Sequence, residues 1–123
     1  MKPKIKKCVL FEGSELGDIN LVDNINNYKY VEIMFSSSVG EYDSVKVPAC
    51  AEYINCNTVL LDAGIDSNIG FIFIAKQLKN EGPKLSVKAS SRLYKYQKDA
   101  GITQDTLNQL YIRKVIGYIY ERQ

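Results

Sequence analysis

Leu110-Tyr111-Ile112-Arg113-Lys114-Val115-Ile116-Gly117-Tyr118-Ile119-Tyr120 decides the fold of this chain. The run is rich in β-branched and aromatic residues and alternates with period two, which is the pattern of a strand. Leu110, Ile112, Lys114, Ile116, Tyr118 and Tyr120 form one set, and Tyr111, Arg113, Val115, Gly117 and Ile119 the other. Placed almost at the C-terminus of this sequence, such a strand is expected to pair with earlier chain, so that the fold closes on its own tail.

Upstream, the same logic finds further strands. Ile5–Glu12 reads as the first, and Asp18–Val22 as a short second with Ile19 and Leu21 on one face. Tyr28–Ser36 is the clearest central strand, with Val31, Ile33 and Phe35 on one face and Tyr30, Glu32 and Met34 on the other. Tyr42–Val47 returns and stops at Pro48, which has no N–H to donate to a ladder. Thr58–Asp62, Ile69–Leu78 and Leu85–Gln97 follow; Ala49–Asn57 is left unassigned, and Lys98–Asn108 reads as a polar loop in which Thr103–Thr106 starts one helical turn. Between strands lie turn clusters: Asp23-Asn-Ile-Asn-Asn27, whose side chains hydrogen-bond their own backbone, Ser36-Ser-Ser-Val-Gly40, Ala63–Asn68 and Asn80-Glu-Gly-Pro83. Strands with regular turn signals and no helix-period segment predict an all-β, single-domain antiparallel β-sandwich over residues 1–123, with a jelly roll as one form it can take. The expected core is Val31, Ile33, Phe35, Val45, Val47, Ile72, Ile74, Ile112 and Ile116. Sheet edges need protection. Pro48 and the lysines Lys84, Lys88, Lys95 and Lys98 are the expected guards, or else a partner subunit.

Composition narrows function chiefly by exclusion. At 123 residues the chain suits one domain, and its 46% hydrophobic and 24% charged residues are ordinary for a globular protein. A net charge of +2 is too small to argue for nucleic acid or an anionic membrane, so neither is expected as a partner. No apolar run approaches the ~18 residues that span a bilayer. The charged start before Val9 is followed by too short an apolar stretch for a signal peptide, which leads us to expect synthesis in a bacterial cytoplasm. The chain contains no histidine, which removes the commonest general base and most zinc chemistry. Cys8, Cys50 and Cys56 are odd in number and too few for an all-cysteine zinc site; free thiols are favoured over a Cys50–Cys56 bridge.

Other chemical signals are outweighed by plainer readings. Glu12, Glu15 and Asp18 cluster near the first turn, but glycoside hydrolysis needs two carboxylates facing across a cleft, and solvated turn residues explain the cluster as well. Asp62-Ala-Gly-Ile-Asp66-Ser-Asn68 offers oxygen ligands without the spacing of a calcium loop; an Asx-turn suffices. Neither a catalytic residue, a metal site nor a cofactor is assigned. The eight glycines make no phosphate-binding fingerprint, and Gly117, inside a strand, marks a bulge or a close backbone approach. Nine tyrosines remain without a single tryptophan. Each is first of all a half-buried strand residue, but Tyr offers an apolar face and a polar tip, which suits sugar stacking and subunit contacts alike. Tyr94 and Tyr96 share a face in the basic segment Arg92–Lys98, and Tyr118 and Tyr120 lie on the last strand. These four are the expected ligand-binding or interface residues.

Three stretches, taken together, resemble a known family. They are Leu10-Phe-Glu-Gly-Ser14 with Gly17-Asp-Ile-Asn-Leu21 and Asn27-Tyr-Lys-Tyr-Val-Glu-Ile33; Ser44-Val-Lys-Val-Pro48; and Leu110–Tyr118. In that order they are similar to a β-rich C-terminal domain of tail and tail-fibre proteins (minor structural proteins) of phages and prophages of Gram-positive bacteria. The motifs are structural rather than catalytic, and residues 49–104 carry none of them. Phe11 and the Cys50–Cys56 segment depart from the family pattern. The resemblance implies a virion-tail location, a non-catalytic role in host-surface adhesion, binding to cell-surface saccharide, and a homo-oligomer, most often a trimer. Two other readings stand beside it: a free-standing bacterial carbohydrate-binding or protein-interaction module, and, more remotely, a small hydrolase.

Overall fold

The computed structural model describes residues 4–37, 42–63, 69–97, 101–104 and 109–121; of these, the side chains of 60–63, 69–72, 90–97, 101–104 and 121 lie outside the description. Nine strands follow in chain order: β1 (Lys4–Glu15), β2 (Ile19–Asn20), β3 (Tyr30–Ser37), β4 (Tyr42–Pro48), β5 (Tyr53–Ala63), β6 (Ile69–Asn80), β7 (Lys84–Gln97), β8 (Gly101–Gln104) and β9 (Leu110–Glu121). They form an all-β sandwich. One sheet has four strands in the order β1-β9-β3-β4, and the other has β2-β7-β6-β5 with β8 also on β7. All pairings are antiparallel. The tail strand β9 sits between β1 and β3, paired with earlier chain on both sides. First beside last, last beside third, and second beside seventh is a jelly-roll-like arrangement. However, β4 hairpins onto β3 within one sheet, and β5-β6-β7 is a meander.

The core lies between the sheets. Leu10, Val31, Ile33, Phe35, Leu110, Ile112 and Val115 come from the four-stranded sheet; Ile19, Ile54, Cys56, Ile74, Leu78 and Leu85 face them from the other. Val31, Ile33, Phe35, Ile74 and Ile112 are buried as expected, while Val45 and Val47 pack against the core from the edge strand β4 and are only half-buried. Ile72 falls among the side chains outside the description.

The last strand does not keep one alternation throughout. Met34 pairs with Lys114, but Phe35 pairs with Ile112, so Arg113 is an extra residue in β9. This β-bulge shifts the facing by one residue. Leu110 and Ile112 point inward before it, and Val115 does so after it. Ile116, expected in the core, is instead carried to the outer face opposite Val9 and Glu32, where its neighbours still bury it. A second bulge between Val9 and Phe11 lets Leu10 enter the core. Gly117 is a close approach: a Cβ there would lie 2.6 Å from Tyr28 Cδ1.

The turn at residues 23–28 closes through side chains, as its composition suggests. Asp23 Oδ1 accepts from Asn24 N (2.8 Å) and Asn27 Nδ2 (3.0 Å), and Asn24 Oδ1 accepts from Asn26 N (2.9 Å), capping a single 3-10 turn at Ile25–Asn27. At the β6–β7 turn Gly82 has φ of 82°, a conformation that favours glycine. Residues 49–57 divide into a tight turn and the start of β5. Asn80 Nδ2 pins that turn by donating to Ala49 O (2.8 Å) and Ala51 O (3.2 Å). Within the segment expected to be a loop, Gly101–Gln104 pairs with β7 as β8, so Thr103 is in a strand; Asp105 and Thr106 lie outside the described residues.

The expected edge guards are partly displaced. Pro48 does end the edge strand β4. Lys88 lies in the stretch of β7 that has β6 on one side and no strand on the other, as an edge guard should, whereas Lys84 and Lys95 lie where β2 and β8 cover that side; the edge strand β5 has no lysine, arginine or proline in its eleven residues. Lys98 is outside the described residues.

Candidate functional site: an aromatic and cationic sheet face

The outward half of the alternation in the four-stranded sheet builds the candidate site. Because Val31, Ile33 and Phe35 point into the core, Tyr30, Glu32 and Met34 point out. Register then aligns rows across the strands: Lys7, Tyr118, Tyr30 and Pro48; next Val9, Ile116, Glu32 and Lys46; next Glu12, Lys114, Met34 and Ser44. Beyond the first row Ile5 pairs with Tyr120, and at the far end Ser36 pairs with both Tyr111 and Tyr42. The bulge at Arg113 is what keeps Ile116, Tyr118 and Tyr120 on this face.

The polar groups of the face are organised around phenol rings. Tyr118 Oη donates to Glu32 Oε1 (2.8 Å), and this hydrogen bond to a carboxylate raises the phenol's pKa above its ordinary value. Lys46 Nζ stands 4.3 Å from the centre of the Tyr118 ring and 5.7 Å from that of Tyr30. Lys29 Nζ is 5.5 Å from the Tyr120 ring. At the far end the Arg113 guanidinium lies 5.1 Å from the Tyr111 ring and 5.9 Å from that of Tyr42, and its Nε donates to Ser36 Oγ (2.6 Å). Each cation–π contact at an exposed site is worth about 0.5–1 kcal/mol. A shallow cleft of about 50 Å³ opens between Ile5, Tyr30, Lys46, Tyr118, Ile119 and Tyr120.

Of the four tyrosines expected at a site, Tyr118 and Tyr120 are therefore together. Tyr94 and Tyr96 belong to β7 in the opposite sheet, where their Cα partners are Phe73 and Phe71; their side chains lie outside the description. Sequence reasoning missed Tyr30, Lys46 and Lys29. The available signal was the polar set of the central strand, which carries Tyr30 next to Glu32, but only strand pairing brings Lys46 and Tyr118 to it.

The acidic cluster at the first turn disperses. Glu15 Oε1 accepts from Gly17 N (3.0 Å). Asp18 accepts from Val87 N (3.0 Å), which, with a lesser contribution from Lys84 at 3.5 Å, lowers its pKa. Glu12 is exposed, with Lys114 as its Cα partner. Among the described residues there is no group of three or more His, Cys, Asp or Glu side chains placed to hold a metal. Asp66 and Asn68 are outside the described residues.

Two reactive side chains are buried between the sheets instead. Cys56 and Lys76 are Cα partners on β5 and β6, both facing inward. Lys76 Nζ donates to Leu16 O (2.7 Å) and Leu110 O (2.8 Å), tying one sheet to backbone of the other. Burial lowers the Lys76 pKa, against the pull of Cys56 and Glu15. Burial pushes the Cys56 thiol up to about 12, although Lys76 acts in the other direction. All three cysteines are free. A thiol with so high a pKa is not a nucleophile at neutral pH.

No protein-family model matches this chain, and no curated protein is significantly similar to it.

Proposed function

We propose that this domain is a non-catalytic adhesion module of a phage or prophage tail, and that it grips host-surface saccharide with the outer face of its four-stranded sheet. The observation that carries the reading is the set of Tyr30, Tyr118 and Tyr120 around one cleft on an open sheet face. Phenol rings present flat apolar surface to the C–H faces of sugars, while their hydroxyls and the neighbouring Glu32 and Lys46 supply polar contacts. The three stretches that resemble tail proteins supply the context, and two of them, Asn27–Ile33 and Leu110–Tyr118, contribute Tyr30 and Tyr118.

The test is a glycan microarray probed with the wild-type domain and with Tyr118→Ala, each checked for folding by circular dichroism. Binding to bacterial surface glycans that the folded variant loses supports the reading. Failure to bind any glycan, with capture of a protein partner through the same face, would replace it with a protein-interaction module.

A further inference from the structure

Resting on the reading of this face as the saccharide site, we propose that its ligand is an acidic saccharide, one bearing carboxylate or phosphate groups. Among the described residues the charges on the face are unbalanced. Lys7, Lys46 and Lys114 stand in its rows, and Lys29 and Arg113 lie over its tyrosines, against the carboxylates Glu12 and Glu32. Glu32 already accepts the Tyr118 hydroxyl. Among the described residues the ion pairs are those of Lys84 with Asp18 and Glu81, away from this face, so none of the face's cations has a described carboxylate within 4.0 Å.

The manner in which Lys46 and Lys29 are held points the same way. A ring quadrupole attracts an ammonium without neutralising it. A lysine seated on a phenol thus keeps its full charge and most of its donors for an outside partner, while losing part of its conformational freedom in advance. The cleft beside Lys46 is about 50 Å³. It opens onto the sheet face between Tyr30, Tyr118 and Tyr120, so an acidic substituent entering it meets the Lys46 ammonium while its sugar ring rests on the phenol faces. The saccharide chain lies across the flat face, with its rings against the tyrosines and an acidic substituent lowered toward Lys46.

The experiment measures binding of the domain to matched polymers: polygalacturonate against neutral galactan, and phosphomannan against neutral mannan, with a single-stranded oligonucleotide as a polyanion of another class. Wild type, Lys46→Gln and the opposite-sheet control Lys84→Gln are compared at low and high salt. The expected result is preference for an acidic polymer over its neutral counterpart, about tenfold weakening by Lys46→Gln, as the loss of one charged contact predicts, further weakening as salt screens the face, and no change with Lys84→Gln. Equal binding of neutral and acidic polymers, unaffected by Lys46→Gln, would overturn the acidic-ligand proposal and leave the saccharide reading standing. Binding to none of the polysaccharides would overturn both, and tighter binding to the oligonucleotide would replace the ligand class.

Discussion

Gly117→Ala is the sharpest test of how the two ends of this chain are packed. The alanine methyl would lie 2.6 Å from Tyr28 Cδ1, 2.7 Å from Cγ and 3.0 Å from Cε1. Carbon atoms rest about 3.5–4.0 Å apart, so the ring must retreat by roughly 1 Å. Cγ is the ring atom nearest the backbone, so a side-chain flip alone does not clear the methyl and the turn must move with it. That turn is held by the Tyr28 hydroxyl, which donates to Asp23 Oδ2 (2.8 Å), and by the two other hydrogen bonds Asp23 accepts. Overpacking of this kind costs about 1–3 kcal/mol, and a weakened Tyr28–Asp23 bond adds about 1 kcal/mol. Removing glycine's freedom in the unfolded chain offsets about 0.4–1 kcal/mol. The net expectation is a loss of about 1–3 kcal/mol. Urea unfolding followed by far-UV circular dichroism reads this as a lower midpoint at unchanged slope. A double-mutant cycle with Tyr28→Ala isolates the cause: with the ring gone the methyl has nothing to strike, so the double variant is more stable than the sum of the single changes by about 1 kcal/mol or more. A Gly117→Ala midpoint equal to wild type, or strict additivity in the cycle, refutes the packing argument.

Four other expectations follow from named groups. Lys76→Met leaves the carbonyls of Leu16 and Leu110 without their donor and lowers stability by about 2 kcal/mol, and Lys76→Ala lowers it further by adding a cavity; a Lys76→Met variant as stable as wild type contradicts this. Asp18 and Asp23 have pKa values depressed below 3.8, the first mainly by the Val87 N–H and the second mainly by the Tyr28 hydroxyl. Their contribution to stability is therefore complete above that value and is lost as pH falls through the depressed ones; Asp18→Asn with Asp23→Asn flattens the acid limb of the stability profile, and an unchanged limb rules the assignment out. In thiol titration of the native protein Cys50 reacts first and Cys56 only on unfolding, because Cys50 is exposed and Cys56 is buried with its thiol pushed up to about 12; early labelling of Cys56, read by mass spectrometry, contradicts its placement. Copies that associate at high concentration do so along the unguarded edge β5, where Val59 is 58% exposed; Val59→Lys then shifts the light-scattering mass toward the 13.9 kDa monomer, whereas a mass that the variant leaves unaltered places the contact elsewhere.

The sequence by itself determined the features that depend on near neighbours. Alternation at Val31, Ile33 and Phe35 named the inward face of β3, and the Asp–Asn composition of residues 23–27 named a turn that closes on its own side chains, because both effects act within a few residues. The tail run was also legible as a strand, from its β-branched and aromatic alternation, but its place between β1 and β3 was not. Tertiary structure alone decided the rest. The bulge at Arg113 exists only relative to β3, and it reverses the facing of Val115 and Ile116 from what strict alternation implies. The strand at Gly101–Gln104 is polar and short, and acquires its identity from β7. The candidate site is non-local in the same sense: Tyr30, Lys46 and Tyr118 are far apart in the chain and meet because register aligns β9, β3 and β4. Tyr94 and Tyr118 look alike in the sequence, yet their strands lie in opposite sheets. Local chemistry sets which residues alternate and where the chain turns, whereas which strands become neighbours is settled by the burial of both sheets at once.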